Sequence, residues 1–237
     1  MARTAQLDLP LVLPAQAQKH VTVNEALARL DAVAQLRVVS AAVATPPASA
    51  PEGTAYLVPA GAAGDWLGQG GKIAVRSNGG WVFVAPHAGW RAWDVAAAGY
   101  RTCFGAGWVA DAFAVSPGGA GTRLRVVEFD HAIVPGASNL TSVVIPSGAQ
   151  VIGVTGRVVG ALTGGLSGWR VGVAGSDNRY ASGLGVAKNS YLRGLSGAPV
   201  TYYSDTPLLL TAEGGAFAAG TVRLALHLVE LEPPQAV

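Results

Sequence analysis

Four histidines, one cysteine and fourteen acidic residues are the groups from which this 237-residue chain could build a reactive site. His20, His87, His131 and His227 stand far apart, with no HExxH pair and no His/Cys spacing suited to zinc, so each reads as structural and no metal is expected. Cys103 has no second cysteine to pair with and reads as a small hydrophobe filling a β core. Ser167 and Ser196 lie among glycines, but the residues two positions on are Trp169 and Ala198, which breaks the G-x-S-x-G pattern of a serine hydrolase. The glycines at 68–71 and 183–185 complete no dinucleotide fingerprint, and no Walker lysine follows a suitable loop. No cofactor is expected.

Cleaving a glycan needs two carboxylates placed on either side of the sugar bond. Glu128 and Asp130 share one face of a predicted strand, as do Glu230 and Glu232. Solvated acids at a strand edge show the same pattern, so the chain reads as non-enzymatic. Binding a sugar asks for less: aromatic faces to stack on C–H surfaces and a few planar polar groups to fix hydroxyls. Trp169, Asp177, Asn178, Arg179, Tyr180, Tyr191, Tyr202 and Tyr203 lie in or beside turn-rich segments, where ligand contacts concentrate, and form the candidate glycan-binding set. Tyrosines at strand ends also close cores and interfaces.

These residues must be positioned by strands. Half the residues are hydrophobic and only 13% charged, with 32 Gly against 5 Phe and 1 Met, a composition of short strands and tight turns. The net charge of +2 is scattered along the chain, so no footprint for nucleic acid or an anionic membrane is visible. Asp8 and two prolines interrupt the apolar run near the N-terminus, so no signal peptide is indicated. No stretch approaches the roughly 20 apolar residues of a membrane span. The apolar excess points to burial between subunits.

One helix of roughly 14 residues is expected from Thr22, where Thr22-Val23-Asn24-Glu25 has the form of a capping box. Its apolar stripe would be Val23, Ala26, Leu27, Leu30, Val33 and Ala34, with Glu25, Arg29 and Asp31 off that face. Residues 41–51 read as a linker. Tyr56–Val58, Lys72–Arg76 and Trp81–Val84 then read as a small meander, with Ser77-Asn78-Gly79-Gly80 as its hairpin turn. Trp66, Trp81, Phe83, Trp90, Trp93, Tyr100 and Trp108 crowd a segment too short to hide them all easily, which places some at an interface or a ligand.

The breaker cluster Ser116–Gly121 marks a boundary. Beyond it Val222-Leu224-Leu226-Leu228 and Trp169-Val171-Val173 alternate with polar or small residues, the period of half-buried strands. Further strands are expected at Leu124–Phe129, Ser142–Ile145, Val151–Leu162, Thr201–Tyr203 and Leu208–Thr211. The fold expected is mainly β: a short N-terminal helix and attachment segment (1–40), a small aromatic-rich β-meander (41–115) and a C-terminal antiparallel β-sandwich or jelly roll (116–237).

Residues 9–36, LPLVLPAQAQKHVTVNEALARLDAVAQL, and the pieces EGTAYLV, GDWLGQGGKIAV and GGWVFVAPHAGWRAW within 52–93 resemble a family of uncharacterised function. It is found in alphaproteobacterial prophages and gene transfer agents and described as tail-fibre or head-spike proteins. The C-terminal SVVIPSGAQVIGVTGRV and YYSDTPLLLTAEGGAFAAGTVRLALH are similar to the distal domain of longer members, and this part also resembles trimeric knobs of phage fibres and needles.

The resemblance implies a homotrimeric virion protein, assembled in the cytoplasm and displayed on the particle surface, with no catalytic residues carried over. Gln16, Gln18, Lys19, His20, Asn24 and Glu25, in or beside the distinctive N-terminal block, would mount it on capsid or tail proteins. The distal domain would bind capsular or other host surface polysaccharide. A glycan depolymerase and a structural collar with only virion partners are the competing readings.

Overall fold

A computed structural model describes Thr4, Leu11, residues 19–105 and residues 107–234, with residues 19–22 described as backbone only. The chain forms two compact units, 1–112 and 113–237.

In the first unit, helix α1 spans Lys19–Val33. Thr22 therefore lies inside the helix and does not cap its start. The expected stripe is not the buried one either, since Val23 and Leu30 are exposed while Asp31 and Ala32 are buried. The last turn anchors the helix: the Asp31 carboxylate accepts a hydrogen bond from Thr4 Oγ1 at 2.7 Å, and Ala32 joins the core with Val33 packed against it.

Seven short strands follow: β1 (Arg37–Val38), β2 (Ala55–Leu57), β3 (Ile73–Ser77), β4 (Gly80–Val84), β5 (Arg91–Asp94), β6 (Gly99–Phe104) and β7 (Gly107–Ala110). They form two sheets, in the orders β2-β3-β4 and β1-β5-β6-β7. The β3–β4 hairpin turns through Asn78 at φ 51° and Gly79 at φ 75°, the two positive angles that a type I′ turn requires. The Glu52 carboxylate accepts both amides of that turn, each at 2.8 Å.

The three-stranded sheet is covered on both faces, which is why β2 has no exposed residue. Ala55, Leu57, Ile73 and Val75 pack with Ala32, Leu36 and Val38, while Tyr56 and Ala74 pack under Trp66. Trp66 is fully buried, with its ring centroid 5.3 Å from that of Tyr56 and 5.1 Å from that of Trp81.

The second unit carries β8 (Ala112–Val115), β9 (Gly121–Ala132), β10 (Ser138–Ile145), β11 (Gln150–Gly164), β12 (Gly168–Val173), β13 (Ser176–Leu184), β14 (Tyr191–Thr201), β15 (Thr206–Glu213) and β16 (Phe217–Glu232). The expected breaker cluster forms the β8–β9 turn, closed by Ser116 N donating to Ala120 O.

The sheet orders are β14-β11-β16-β9-β8 and β10-β15-β12-β13. Counting from β9, the first strand pairs with the eighth, the second with the seventh, the third with the sixth and the fourth with the fifth, all antiparallel. This is a jelly roll. The alternating Val222, Leu224, Leu226 and Leu228 of β16 face a single core with Val151, Val154 and Val158 of β11 and Trp169, Val171, Leu208 and Leu210 of the opposite sheet. Each such side chain, fully buried, contributes about 1.5–3 kcal/mol.

Two expectations are corrected. The segments around Asp177–Tyr180 and Tyr191 are strands, not turns. Tyr202 and Tyr203 lie past the end of β14, in the connection to β15. β10 is bulged between Leu140 and Val144. There the buried Thr141 hydroxyl donates to Val143 O at 2.6 Å and accepts from Leu208 N at 3.0 Å, replacing the lost ladder contact.

Candidate functional site

The proposed sugar-binding residues divide by burial. Trp169 is 2% exposed and sits in the jelly-roll core, its indole Nε1 donating to Gly185 O at 3.1 Å. Tyr180 and Tyr202 are also core residues, and their hydroxyls meet at 2.8 Å. Burial, then the Tyr202 hydroxyl, push the Tyr180 phenol up, well beyond its ordinary range. None of these three rings offers a face to a ligand. Strand alternation turns Trp169 and Tyr180 inward, backbone bonds to Gly148 and Ala149 hold Tyr202 beside Tyr180, and the polar tips that suggested ligand contact are satisfied inside.

Asp177, Asn178 and Arg179 lie on β13, the edge strand of its sheet. Asp177 is tied to Arg170 at 2.9 Å, while Asn178 and Arg179 are exposed. Tyr191 opens β14 with its ring 66% exposed and the Arg157 guanidinium over it. Tyr203 lies beyond the opposite end of the same strand, which bulges between Leu195 and Val200 and spans only Gln150–Arg157 of β11, so the two tyrosines stand roughly 25 Å apart at the usual rise per residue. The eight candidates therefore do not form one site.

The most defined group surrounds Tyr203. Gly148 N donates to Tyr202 O at 2.7 Å and Tyr202 N donates to Ala149 O at 3.0 Å, joining the β10–β11 loop to the β14–β15 loop. Ser147 adds two bonds, its amide to Asp205 Oδ1 at 2.9 Å and its hydroxyl to Tyr203 O at 3.0 Å. Tyr203 is held by this frame with its side chain 88% exposed. The buried hydroxyl contact between Tyr180 and Tyr202 fixes the two segments from which Arg179 and Tyr203 turn outward. An exposed aromatic face on a hydrogen-bonded backbone frame is one of the groups that hold a sugar.

Both carboxylate pairs are engaged by arginines. Arg223 binds Asp130 through two bonds, at 2.7 and 2.8 Å, and its Nε lies 3.9 Å from Glu128. The hydrogen bond from Arg223 holds the Asp130 carboxyl below its ordinary range, the opposite of what a general acid needs. Glu230 pairs with Arg125 at 3.1 Å and Glu232 with Arg123 at 3.0 Å. His227 bonds Thr155 Oγ1 at 3.0 Å. Among the described residues, no three metal-ligating groups converge, and no helix is long and apolar enough to cross a membrane.

Gln16 and Gln18 of the expected attachment block lie outside the described residues. Lys19 and His20 open α1, where only their backbone is described. Asn24 is half-buried and Glu25 exposed on the same helix. Trp93 and Tyr100, two of the aromatics expected at an interface or a ligand, form an exposed cross-strand pair on β5 and β6 that sequence patterns did not assign. The two rings meet at 4.9 Å, with Arg91 over Tyr100. Its signal was the W-x₆-Y spacing across a turn.

A family described only as a protein of unknown function, DUF2793, matches residues 23–109, most of the first unit and none of the jelly roll. No curated protein sequence matches the chain. Several chains of solved structures overlap part of it. A chain of the cyanophage Pam1 capsid asymmetric unit is 23% identical, with 47% of this chain and 84% of that one covered, at a TM-score of 0.32. A chain of the acidic-stable capsid of Helicobacter pylori bacteriophage KHP30 is 16% identical, with 45% and 99% covered, at 0.28.

Proposed function

We propose that this chain is a spike or fibre protein of a phage-like particle, mounted through its N-terminal segment and binding a host surface polysaccharide through its C-terminal jelly roll. The observation that carries the reading is the exposed Tyr203 on its hydrogen-bonded loop frame. The jelly roll is an architecture shared by viral capsid and lectin domains, and the N-terminal block resembles a virion family. As a homotrimer the protein would present three weak sites on one mount, and many mounts on one particle multiply avidity without new contacts.

The test is binding of the purified chain to host cells with and without their surface polysaccharide, with glycan release followed in the same samples. Saturable, polysaccharide-dependent binding that weakens in Tyr203→Ala and Arg179→Ala is expected. Equal binding to stripped cells would overturn the receptor assignment, and polysaccharide breakdown would overturn the non-enzymatic one. The exposed Val23 and Leu30 on α1 favour a second reading, a collar whose partners are all virion proteins, which predicts no polysaccharide binding.

A further inference from the structure

Strand register divides the outer face of the five-stranded sheet into two chemistries. Arg193, Thr155, Ala225 and Glu128 lie side by side across β14, β11, β16 and β9. The adjacent row is Tyr191, Arg157, Arg223 and Asp130. Arginines thus stand towards the β14 side and carboxylates on β9. Along the strands the same face turns aliphatic, with Leu195 on β14, Leu124 and Val126 on β9 and Leu231 on β16, which are 80%, 47%, 63% and 76% exposed. An aliphatic patch bordered by charge is the composition of an interface core and its rim.

Neither lateral edge at the charged level carries a paired strand, although β13 packs beside β14 where the Tyr180 backbone meets Gly194. β14 is an edge strand. On the other side β8 has four residues against the twelve of β9 and enters through the tight turn next to the start of β9, so the Glu128–Asp130 half has no strand outside it. Two copies joined by a two-fold axis, β9 to β9 or β14 to β14, would set like charges together. A head-to-tail arrangement sets opposite charges together and can close into a ring.

We propose that the partner of this face is a second copy of the chain, docked head to tail. The β14 edge of one copy meets the β9 edge of the next, Arg193 faces Glu128, and the aliphatic rows turn towards a shared axis. The arrangement extends the homotrimer reading and rests on it for the number of copies. Glu128 suits the role because Arg223 is already bound to Asp130 at 2.7 Å and lies 3.9 Å from Glu128. The exposed Arg193 guanidinium has no hydrogen bond or ion pair among the described residues.

Sedimentation of the full chain across a concentration series tests this. Arg193→Glu and Glu128→Lys should each weaken association at least tenfold, and the double variant should restore it. Leu195→Asp and Val126→Asp, both at exposed positions, should yield folded monomers by circular dichroism. A trimeric wild type whose Leu195→Asp and Val126→Asp variants keep the trimer mass, or whose charge-swapped double is no better than the singles, overturns this face while leaving the trimer. A wild type that stays monomeric overturns the trimer reading as well.

Discussion

Tyr180 and Tyr202 meet hydroxyl to hydroxyl at 2.8 Å inside the jelly roll, joining β13 to the end of β14. Each phenol satisfies the other where water cannot reach. Removing one leaves the other unpaired, which costs more than removing both. Tyr202→Phe should lower stability by about 1–3 kcal/mol in urea unfolding, and Tyr180→Phe/Tyr202→Phe should recover most of that loss. A double variant as unstable as the single would assign the effect to packing.

The same pair sets an alkaline limit. The Tyr180 phenol is raised in the fold above its ordinary value of 10.0, so the unfolded chain releases this proton first. Its contribution is fully present below pH 10 and falls as pH rises towards the folded value. Unfolding midpoints should therefore decline above about pH 10, and less steeply in Tyr180→Phe.

At the surface the sign reverses. Asp130 is held below its ordinary value of 3.8, first by the hydrogen bond from Arg223, so its contribution is present above that value and lost as pH falls through the folded one. Titration of the Asp130 carboxyl by NMR should give a midpoint below 3.8, returning towards it in Arg223→Gln. The same midpoint in both proteins would contradict the assignment.

Thr141 holds the β10 bulge through one hydroxyl that both donates and accepts. Thr141→Val keeps the shape and leaves the amide of Leu208 unpaired in the core, for a loss of about 1–3 kcal/mol. Denaturant unfolding of the purified variant measures it, and an unchanged midpoint would show that the bulge does not depend on that bond.

Two glycines separate close packing from turn chemistry. A Cβ on Gly172 would collide with Ser176 O and the Asp177 backbone, whereas a Cβ on Gly197 meets nothing within 4 Å. Gly172→Ala should cost about 1–3 kcal/mol by overpacking. Gly197→Ala should stay within about 0.5 kcal/mol of wild type. Thermal melts of the two variants compare them directly.

Patterning along the chain determined much of the architecture. Alternation in 222–228 placed β16 and its buried face, and Asn78-Gly79 placed the first hairpin, because both signals are local: side chains alternate every residue, and positive φ favours those residue types. The helix was legible in kind but not in start or buried face, since Asp31 is drawn inward by Thr4, 27 positions away.

The polar aromatics were the least legible. Nothing local distinguishes Tyr202, turned inward to Tyr180, from Tyr203, turned outward beside it. Only the tertiary structure decided which tyrosine belongs to the core, because the partner hydroxyl that makes burial favourable comes from another strand. It likewise decided that the acids of β9 lie across the sheet from the arginines of β11 and β14, since strand order is set by long-range pairing and not by neighbours along the chain.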